Sequence, residues 1–205
     1  MKSRDLKIKV CGMTLQHNVD VLNLLDVDFM GNIFYSKSPR SINNILNAKA
    51  SKVGVFVKEE IEIIKTQVQK HNIQTIQLHG GESNEFCGLV KDLGVNVWKV
   101  FSVDDEFNFD LLNEYDNADL FLFDTKSPKH GGTGQKFNWS LLNKIDELSP
   151  KKYFLSGGIG FGDAEELKKL QLKNMIGLDL NSKFEKSPGI KDVELLKEFL
   201  KELRD

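Results

Sequence analysis

The sequence predicts a single-domain (β/α)8 TIM barrel over residues 1–205, and three observations support this fold class. Eight short apolar runs alternate strictly with segments of helical periodicity. No Pro-, Gly- or Ser-rich linker interrupts the alternation, which implies parallel pairing through right-handed crossovers. Eight units in 205 residues fit a closed barrel near the small end of its size range.

The main alternative is an open, doubly wound parallel sheet, which has the same alternation of strands and helices. A dinucleotide-binding sheet of that kind would place a G-x-G-x-x-G fingerprint after its first strand. Here Cys11 and Gly12 end the first strand and no such fingerprint follows it, so the sequence favours the barrel.

The strands are predicted from apolar runs, several of them β-branched or aromatic, as expected for strands covered on both faces. The predicted strand ranges are 6–12, 29–35, 52–57, 75–79, 96–102, 120–124, 153–156 and 175–180. Thr14 is predicted to cap the first helix, and Ser83 to cap the helix after the fourth strand. The other helices are predicted at 41–48, 58–71, 107–115, 141–148, 164–170 and 192–203, with the weakest pattern at 107–115.

Composition and charge are those of an ordinary soluble protein. Lys and Arg number 28 against 30 for Asp and Glu, and this balance argues against nucleic acid or an anionic membrane as the main partner. No apolar run approaches the roughly 20 residues that span a bilayer. The chain starts without an apolar signal region, and its two cysteines, Cys11 and Cys87, lack zinc-site spacing. We therefore expect a cytoplasmic protein with reduced thiols.

Functional residues of such a barrel lie at the carboxyl ends of the strands. Cys11 ends the first strand, where a thiol could act as a nucleophile or as a general base. Both roles need the thiolate, which a helix starting near Thr14 would favour through its dipole. The alternative is a small buried hydrophobic residue, which most free cysteines are.

Asp124 ends the sixth strand after four bulky apolar residues. An aspartate there could simply cap the next loop. It could equally be a general acid whose pKa is raised by its apolar surroundings.

The loops after the last three strands are rich in glycine and small polar residues. The long loop after strand six carries Gly132 and Gly134 and has the length of a lid. Gly157 and Gly158 follow strand seven, and Asn181-Ser182 follows strand eight. Phosphate sites in these barrels are commonly built from the last two loops, although two ordinary tight turns would look the same.

Two further polar side chains follow strands two and four. Arg40 has a planar guanidinium that matches the two oxygens of a carboxylate, although a solvated arginine is the usual alternative. His79 either faces the barrel mouth or fills a structural role, and the structural role is favoured.

Six motif groups occur in order and cover nearly the whole chain. They are KVCGMT at 9–14, SPR at 38–40, QLHGGE at 77–82, FD at 123–124 with GGTG at 131–134, SGGI at 156–159, and DLNSKFE at 179–185 with PGIKD at 188–192. Each motif is weak alone, but the ordered set is highly specific. On these motifs the chain resembles the phosphoribosylanthranilate isomerase family of tryptophan biosynthesis.

The resemblance implies an enzyme without metal or cofactor that carries out an Amadori rearrangement. N-(5-phosphoribosyl)anthranilate becomes 1-(2-carboxyphenylamino)-1-deoxyribulose 5-phosphate by general acid–base catalysis. Cys11 is implied as the base, Asp124 as the acid and Arg40 as the ligand of the anthranilate carboxylate. The other substrate-binding residues implied are His79, Gly132, Gly134, Gly157, Gly158, Asp179, Asn181 and Ser182. The implied partner is a small phosphorylated aminosugar, with no nucleic acid and no membrane, for a monomer or a homodimer.

Three positions depart from the family pattern: Lys183 in the last motif, Asn32 in strand two and Ser156 after strand seven. None removes a proposed catalytic group. Two other functions stay open from the sequence, a related phosphosugar isomerase or epimerase and a non-catalytic phosphate-binding barrel. The former typically uses paired carboxylates or a metal, and no His/Asp metal set stands at the predicted strand ends. The presence of both proposed catalytic groups counts against the latter.

Overall fold

The computed structural model describes residues 5–125 and 136–205, which fold around a closed barrel of eight parallel strands. The strands follow chain order, and β1 closes the barrel by pairing with both β2 and β8. Their bounds are β1 Lys7–Cys11, β2 Phe29–Ile33, β3 Ser51–Phe56, β4 Thr75–Leu78, β5 Asn96–Val103, β6 Leu120–Thr125, β7 Tyr153–Leu155 and β8 Met175–Leu180. The predicted fold class is confirmed.

Large apolar side chains fill the barrel toward the amino-terminal ends of its strands. Alternate residues of each strand point inward, and this periodicity brings side chains of several strands together. Trp98 stacks on Phe154 with ring centroids 5.1 Å apart, and Phe29 lies edge-on to both rings. We call this set the apolar cluster; its other members are Val53, Val100, Leu120, Leu122 and Ile176. The barrel is therefore packed at this end.

The described parts of the chain also form six α-helices: α1 Gln16–Leu22, α2 Ile61–His71, α3 Asn84–Lys91, α4 Leu142–Leu148, α5 Ala164–Lys169 and α6 Val193–Arg204. The predicted cap of α3 is present, because the Ser83 hydroxyl oxygen accepts a hydrogen bond from the Phe86 N–H at 3.3 Å. Asp192 caps α6 through the N–H of Leu195. Among the described residues, no helix is long and apolar enough to cross a membrane.

Two predicted helices are wrong. Residues 41–48 form bends and irregular backbone between β2 and β3, with a single bridge from Ser41 to Ile33. Three of these eight residues are asparagines, whose side chains compete with helical hydrogen bonds. The backbone of Asn47 instead exchanges two hydrogen bonds with the side chain of Gln16. Residues 107–115 contain a 3₁₀ helix, Phe109–Glu114, in place of an α-helix.

A short hairpin that was not predicted follows β8. Its strands, β9 (Glu185–Ser187) and β10 (Ile190–Lys191), pair antiparallel, and Gly189 has a φ of +88° in the turn. Thr14 donates its backbone N–H and its hydroxyl to the Gly189 carbonyl oxygen, at 3.0 and 3.1 Å. The predicted Thr14 cap is therefore wrong, because α1 begins only at Gln16 and Thr14 binds the hairpin to the end of β1.

Candidate active site

A cavity of about 570 Å³ opens at the carboxyl ends of the barrel strands. It is lined by every predicted site residue that the structure describes: Cys11, Arg40, His79, Asp124, Gly157, Gly158, Asp179, Asn181 and Ser182. Gly132 and Gly134 lie outside the described residues. Residues from six strands or the loops after them thus meet in the same space.

Cys11 is the last residue of β1, and its thiol is only 4% exposed. It lies on the same face of the strand as Lys9, because side chains two residues apart point the same way. Lys9 is fully buried and lies beside Cys11, and its Nζ reaches Asp179 Oδ1 at 2.8 Å. Gly31 of β2 leaves room for this arrangement, since a Cβ there would lie 2.5 Å from Cys11 Sγ and 3.0 Å from Lys9 Nζ.

Burial raises the pKa of the Cys11 thiol above its ordinary value. The positive charges of Lys9 and Lys191 oppose this rise, while Asp179 adds to it. The helix expected to start near Thr14 begins only at Gln16, and the charges that oppose the rise come from lysines of β1 and β10. Ionisation of Cys11 therefore depends on buried lysine side chains.

Asp124 ends the inward-facing series of β6 and contacts His79 of the loop after β4. The His79 Nε2 to Asp124 Oδ2 distance is 3.1 Å, and Asp124 Oδ1 accepts a hydrogen bond from the Thr125 N–H at 2.8 Å. Gly157 approaches closely, since a Cβ there would lie 2.9 Å from Asp124 Oδ1. The carboxyl group is thus held by fixed neighbours while it lines the cavity.

Arg40 is held by an ion pair with Glu185 of β9. Its Nε and Nη2 donate to the Glu185 carboxylate at 2.9 and 2.6 Å. Lys191 of β10 donates to the same carboxylate at 2.6 Å and to Asn181 Oδ1 at 2.7 Å. Burial disfavours a charged Glu185, but Arg40 and Lys191 outweigh it and hold its pKa below the ordinary value. Within the described residues Arg40 Nη1 makes no hydrogen bond, so part of the guanidinium is free for a ligand in the cavity.

The two loops predicted to bind phosphate both line the cavity. Gly157 and Gly158 have φ values of +85° and +72°, a region that side chains with a Cβ rarely adopt. Asn181 directly precedes a 3₁₀ helix, Ser182–Phe184, after β8. The two loops therefore meet as predicted, although a bound phosphate remains a proposal.

Four buried polar residues of this region were not predicted. Lys9 and Gln77 precede Cys11 and His79 by two positions, so a period-two reading of β1 and β4 would have found them. Gln77 is 1% exposed and lines the cavity, and its carbonyl Oε1 has no hydrogen-bond partner in the described part of the chain. The other two, Glu185 and Lys191, belong to the last motif group, but no role was predicted for them because the hairpin that brings them to the cavity was not predicted.

The arrangement offers a carboxyl group, a thiol beside a fixed cation, and a guanidinium within the same cavity. These groups suit proton transfer to and from an anionic ligand. Across residues 5–125 and 136–205, no three His, Cys, Asp or Glu side chains gather as a set that could hold a metal ion.

Comparison with known proteins gives one consistent family. The family model described as N-(5'-phosphoribosyl)anthranilate (PRA) isomerase matches residues 8–202. The N-(5'-phosphoribosyl)anthranilate isomerase of Campylobacter jejuni is 38% identical over 208 residues, which cover 97% of this chain and 99% of the relative.

Solved structures agree with the sequence relatives. The phosphoribosyl anthranilate isomerase of Thermotoga maritima has a TM-score of 0.84 at 30% identity, covering 97% of this chain and 98% of its own. A phosphoribosyl anthranilate isomerase solved with reduced 1-(o-carboxyphenylamino)-1-deoxyribulose 5-phosphate has a TM-score of 0.81 at 27% identity, with the same coverage. The family model spans nearly the entire barrel, and the chain belongs to the N-(5'-phosphoribosyl)anthranilate isomerase family.

Proposed function

We propose that this protein is a phosphoribosylanthranilate isomerase of tryptophan biosynthesis. It converts N-(5-phosphoribosyl)anthranilate into 1-(2-carboxyphenylamino)-1-deoxyribulose 5-phosphate. The observation that carries the proposal is that Cys11 and Asp124 line the same cavity in a chain of this family. The substrate is a small molecule, and we place the enzyme in the cytoplasm, as a monomer or a homodimer.

Asp124 acts first, as the general acid. Its protonated carboxyl group donates to the furanose ring oxygen while the nitrogen lone pair forms the C1=N bond. The C1–O bond breaks, the ring opens, and a protonated Schiff base results. The contacts of Asp124 with His79 and the Thr125 N–H fix the carboxyl group for this transfer.

Cys11 acts next, as the general base. Its thiolate accepts the proton from C2, and the electron pair of the C2–H bond moves through C1 to the nitrogen. The resulting enolamine loses the proton of its C2 hydroxyl and gains one at C1, which gives the ketone with no net change in protons. General acid and base catalysis each contribute about 10²- to 10⁴-fold in typical enzymes.

The anionic ends of the substrate are held away from the reacting carbons. Arg40 binds the anthranilate carboxylate through the part of its guanidinium that Glu185 leaves free. The loops at Gly157-Gly158 and Asn181-Ser182 bind the phosphate through backbone N–H groups. Fixing both ends places C1, C2 and the ring oxygen between the two catalytic groups, which lowers the entropic part of the barrier.

The proposal is tested by giving the purified protein N-(5-phosphoribosyl)anthranilate and following its fluorescence. We expect rapid loss of signal and chromatographic recovery of the aminodeoxyribulose phosphate, with Asp124→Asn as the slow control. Substrate that decays only at its spontaneous rate would contradict the proposal. Binding without turnover would indicate a non-catalytic barrel, and turnover of phosphosugars lacking the anthranilate group would indicate a different isomerase.

A further inference from the structure

Lys9 is a fully buried lysine on the strand that carries Cys11. Its Nζ lies 2.8 Å from Asp179 Oδ1, and the register of β1 against β8 sets the two residues opposite each other. The ammonium group also lies beside the Cys11 thiol, since a Cβ on Gly31 would lie 3.0 Å from Lys9 Nζ and 2.5 Å from Cys11 Sγ. Burying such a charge is costly, and an apolar side chain of similar volume often stabilises a fold as well or better. The pair is therefore weak evidence for a purely structural role.

We propose that Lys9 is a positioning residue for the isomerisation, whose ammonium group holds Cys11 in place and supports the thiolate that removes the C2 proton. This inference rests on the proposed function, in which Cys11 is the general base, and it identifies the side chain that stabilises the thiolate form of Cys11. Cys11 first loses its proton to solvent, and the thiolate then accepts the proton from C2. Lys9 keeps its own proton throughout and transfers none.

The charges around Cys11 single out Lys9 as its supporting cation. Lys9 faces it from β1, Asp179 from β8 and Lys191 from β10. Burial raises the pKa of the thiol, and Lys9 is the strongest of the groups that lower it. β2 contributes Gly31, which carries no charge, and Arg40 contacts the adjacent Gly12.

Across the barrel mouth, two further titratable groups act on Asp179. The charge of Asp124 on β6 raises the pKa of Asp179, and His79 lowers it, although burial is the largest cause of its overall rise. These groups reach Cys11 through Asp179, which itself anchors Lys9.

The two lysines near Cys11 differ in how firmly they keep their charge. Burial lowers the pKa of Lys191, although Glu185 opposes the change. Lys191 also donates hydrogen bonds to Glu185 and Asn181. Burial acts against the charge of Lys9 too, but Asp179 and Cys11 outweigh it, so the pKa of Lys9 lies above its ordinary value. Lys9 is thus the better permanent cation.

A second buried lysine–carboxylate pair provides a matched control. Lys99 of β5 lies 3.3 Å from Glu82, and both side chains are nearly as buried as Lys9 and Asp179. Lys99 contacts the ring of Tyr115, which packs with Phe101, whereas Lys9 lies beside Cys11. The Lys99→Met variant therefore removes a comparable pair and leaves the neighbours of Cys11 in place.

The test measures ionisation of Cys11 through its alkylation by iodoacetamide against pH, with peptide mapping to separate it from Cys87. The decisive comparison is Asp179→Asn against the double variant Lys9→Met/Asp179→Asn, because neither leaves an unpaired carboxylate buried at this position. We expect Cys11 of the double variant to be alkylated at least about tenfold more slowly than Cys11 of Asp179→Asn, since one unit of pKa is a tenfold change in ionisation. Lys9→Met alone should shift the titration in the same direction, and Lys99→Met should match the wild type.

Equal alkylation of the single and double variants would overturn the inference. So would an equal slowing in Lys99→Met, because that would reveal a general effect of losing a buried pair. This readout needs no turnover, so it decides the role of Lys9 even if the wild type lacks isomerase activity.

Turnover supplies the second readout. In an active wild type, Lys9→Met should lower kcat about tenfold or more and leave KM nearly unchanged, because thiolate supply changes while the substrate anchors stay. Wild-type kcat in this variant would remove the role of Lys9 and leave the proposed function intact.

Discussion

The two ends of the barrel interior are built from the same strands but from different kinds of side chain. Toward the amino-terminal ends, Trp98, Leu122 and Phe154 belong to the apolar cluster. Toward the carboxyl ends, the inward series continues with Asp124 on β6 and Ser156 after β7, which line the cavity. Along β6 and β7 the inward-facing side chains thus change from apolar packing residues to polar cavity residues within two positions.

Because the two ends of the barrel interior differ in this way, stability and activity should respond to separate substitutions. The apolar cluster offers dispersion and hydrophobic burial, so its loss should unfold the protein without altering the cavity. The cavity residues are tied by hydrogen bonds and ion pairs to fixed neighbours, so their loss should change catalysis more than folding.

The largest effect is expected at the cavity end, from Asp124→Asn. The amide keeps the size of the carboxyl group but cannot donate a carboxylic acid proton, so kcat should fall about 10²- to 10⁴-fold. Steady-state kinetics measures this fall, and thermal unfolding should show nearly unchanged stability. A variant with wild-type kcat would show that Asp124 is not the acid.

The largest effect at the opposite end is expected from Trp98→Ala, which should lower the free energy of unfolding by about 3–5 kcal/mol. The reason is the loss of the stacked contact with Phe154 and of the buried area around it. Urea unfolding measures the change. Kinetics below the unfolding range should give a near wild-type KM, and a KM changed as strongly as in cavity variants would break the division between the two ends.

Arg40→Ala should raise KM by about 10- to 100-fold, because a charge-assisted hydrogen bond to a carboxylate contributes about 1.5–3 kcal/mol. The change in kcat should be smaller, since the phosphate loops still hold the substrate. The control is Lys65→Ala, which removes an exposed lysine of α2 that does not line the cavity and should leave KM unchanged. An unchanged KM in Arg40→Ala would remove the carboxylate assignment.

The two cysteines should respond differently to pH. Burial raises the pKa of Cys11, and two lysines only partly offset this rise. The rate of Cys11 alkylation should therefore increase about tenfold per pH unit and still be rising near pH 9. Burial raises the pKa of Cys87 to about 11, and it does not line the cavity, so it should stay unreactive over the same range. A Cys11 titration complete at neutral pH would contradict the electrostatics described for the mouth.

The smallest effect is expected at Gln77, where the cavity meets the packed interior. Its unpartnered Oε1 suits a hydrogen-bond donor on the substrate, so Gln77→Leu should lower kcat/KM about two- to tenfold, the effect of about 0.5–1.5 kcal/mol. Stability should be unchanged or slightly higher, because a buried polar atom without a partner is removed. A clear loss of stability with full activity would make Gln77 a packing residue.

The sequence allowed the fold and the main cavity residues to be predicted because both follow from strand periodicity. Alternation of eight apolar runs with helical segments predicted the barrel, and the barrel rule then placed Cys11 and Asp124 at its mouth. Prediction failed where tertiary contacts decide the conformation. Residues 41–48 have apolar spacing for a helix, but their asparagines and the hydrogen bonds of Asn47 with Gln16 stabilise irregular backbone instead.

The hairpin and the electrostatics of Cys11 could not be predicted in the same way. Glu185 and Lys191 meet Arg40 only because β9 and β10 return to the mouth, and neither strand exceeds three residues. The raised pKa of Cys11 depends on its burial and on the distances to neighbouring charges. Neither the burial of Cys11 nor these distances can be predicted from sequence spacing alone.

The most direct test of the account is a single-turnover measurement on Cys11→Ser with N-(5-phosphoribosyl)anthranilate, together with its affinity for the reduced product analogue. The serine hydroxyl is a far weaker acid than the thiol, so it cannot supply the anionic base. We predict unchanged affinity and a rate of C2 proton removal that is lower by about 10²-fold or more. A variant that binds the analogue and removes the C2 proton at the wild-type rate would contradict it.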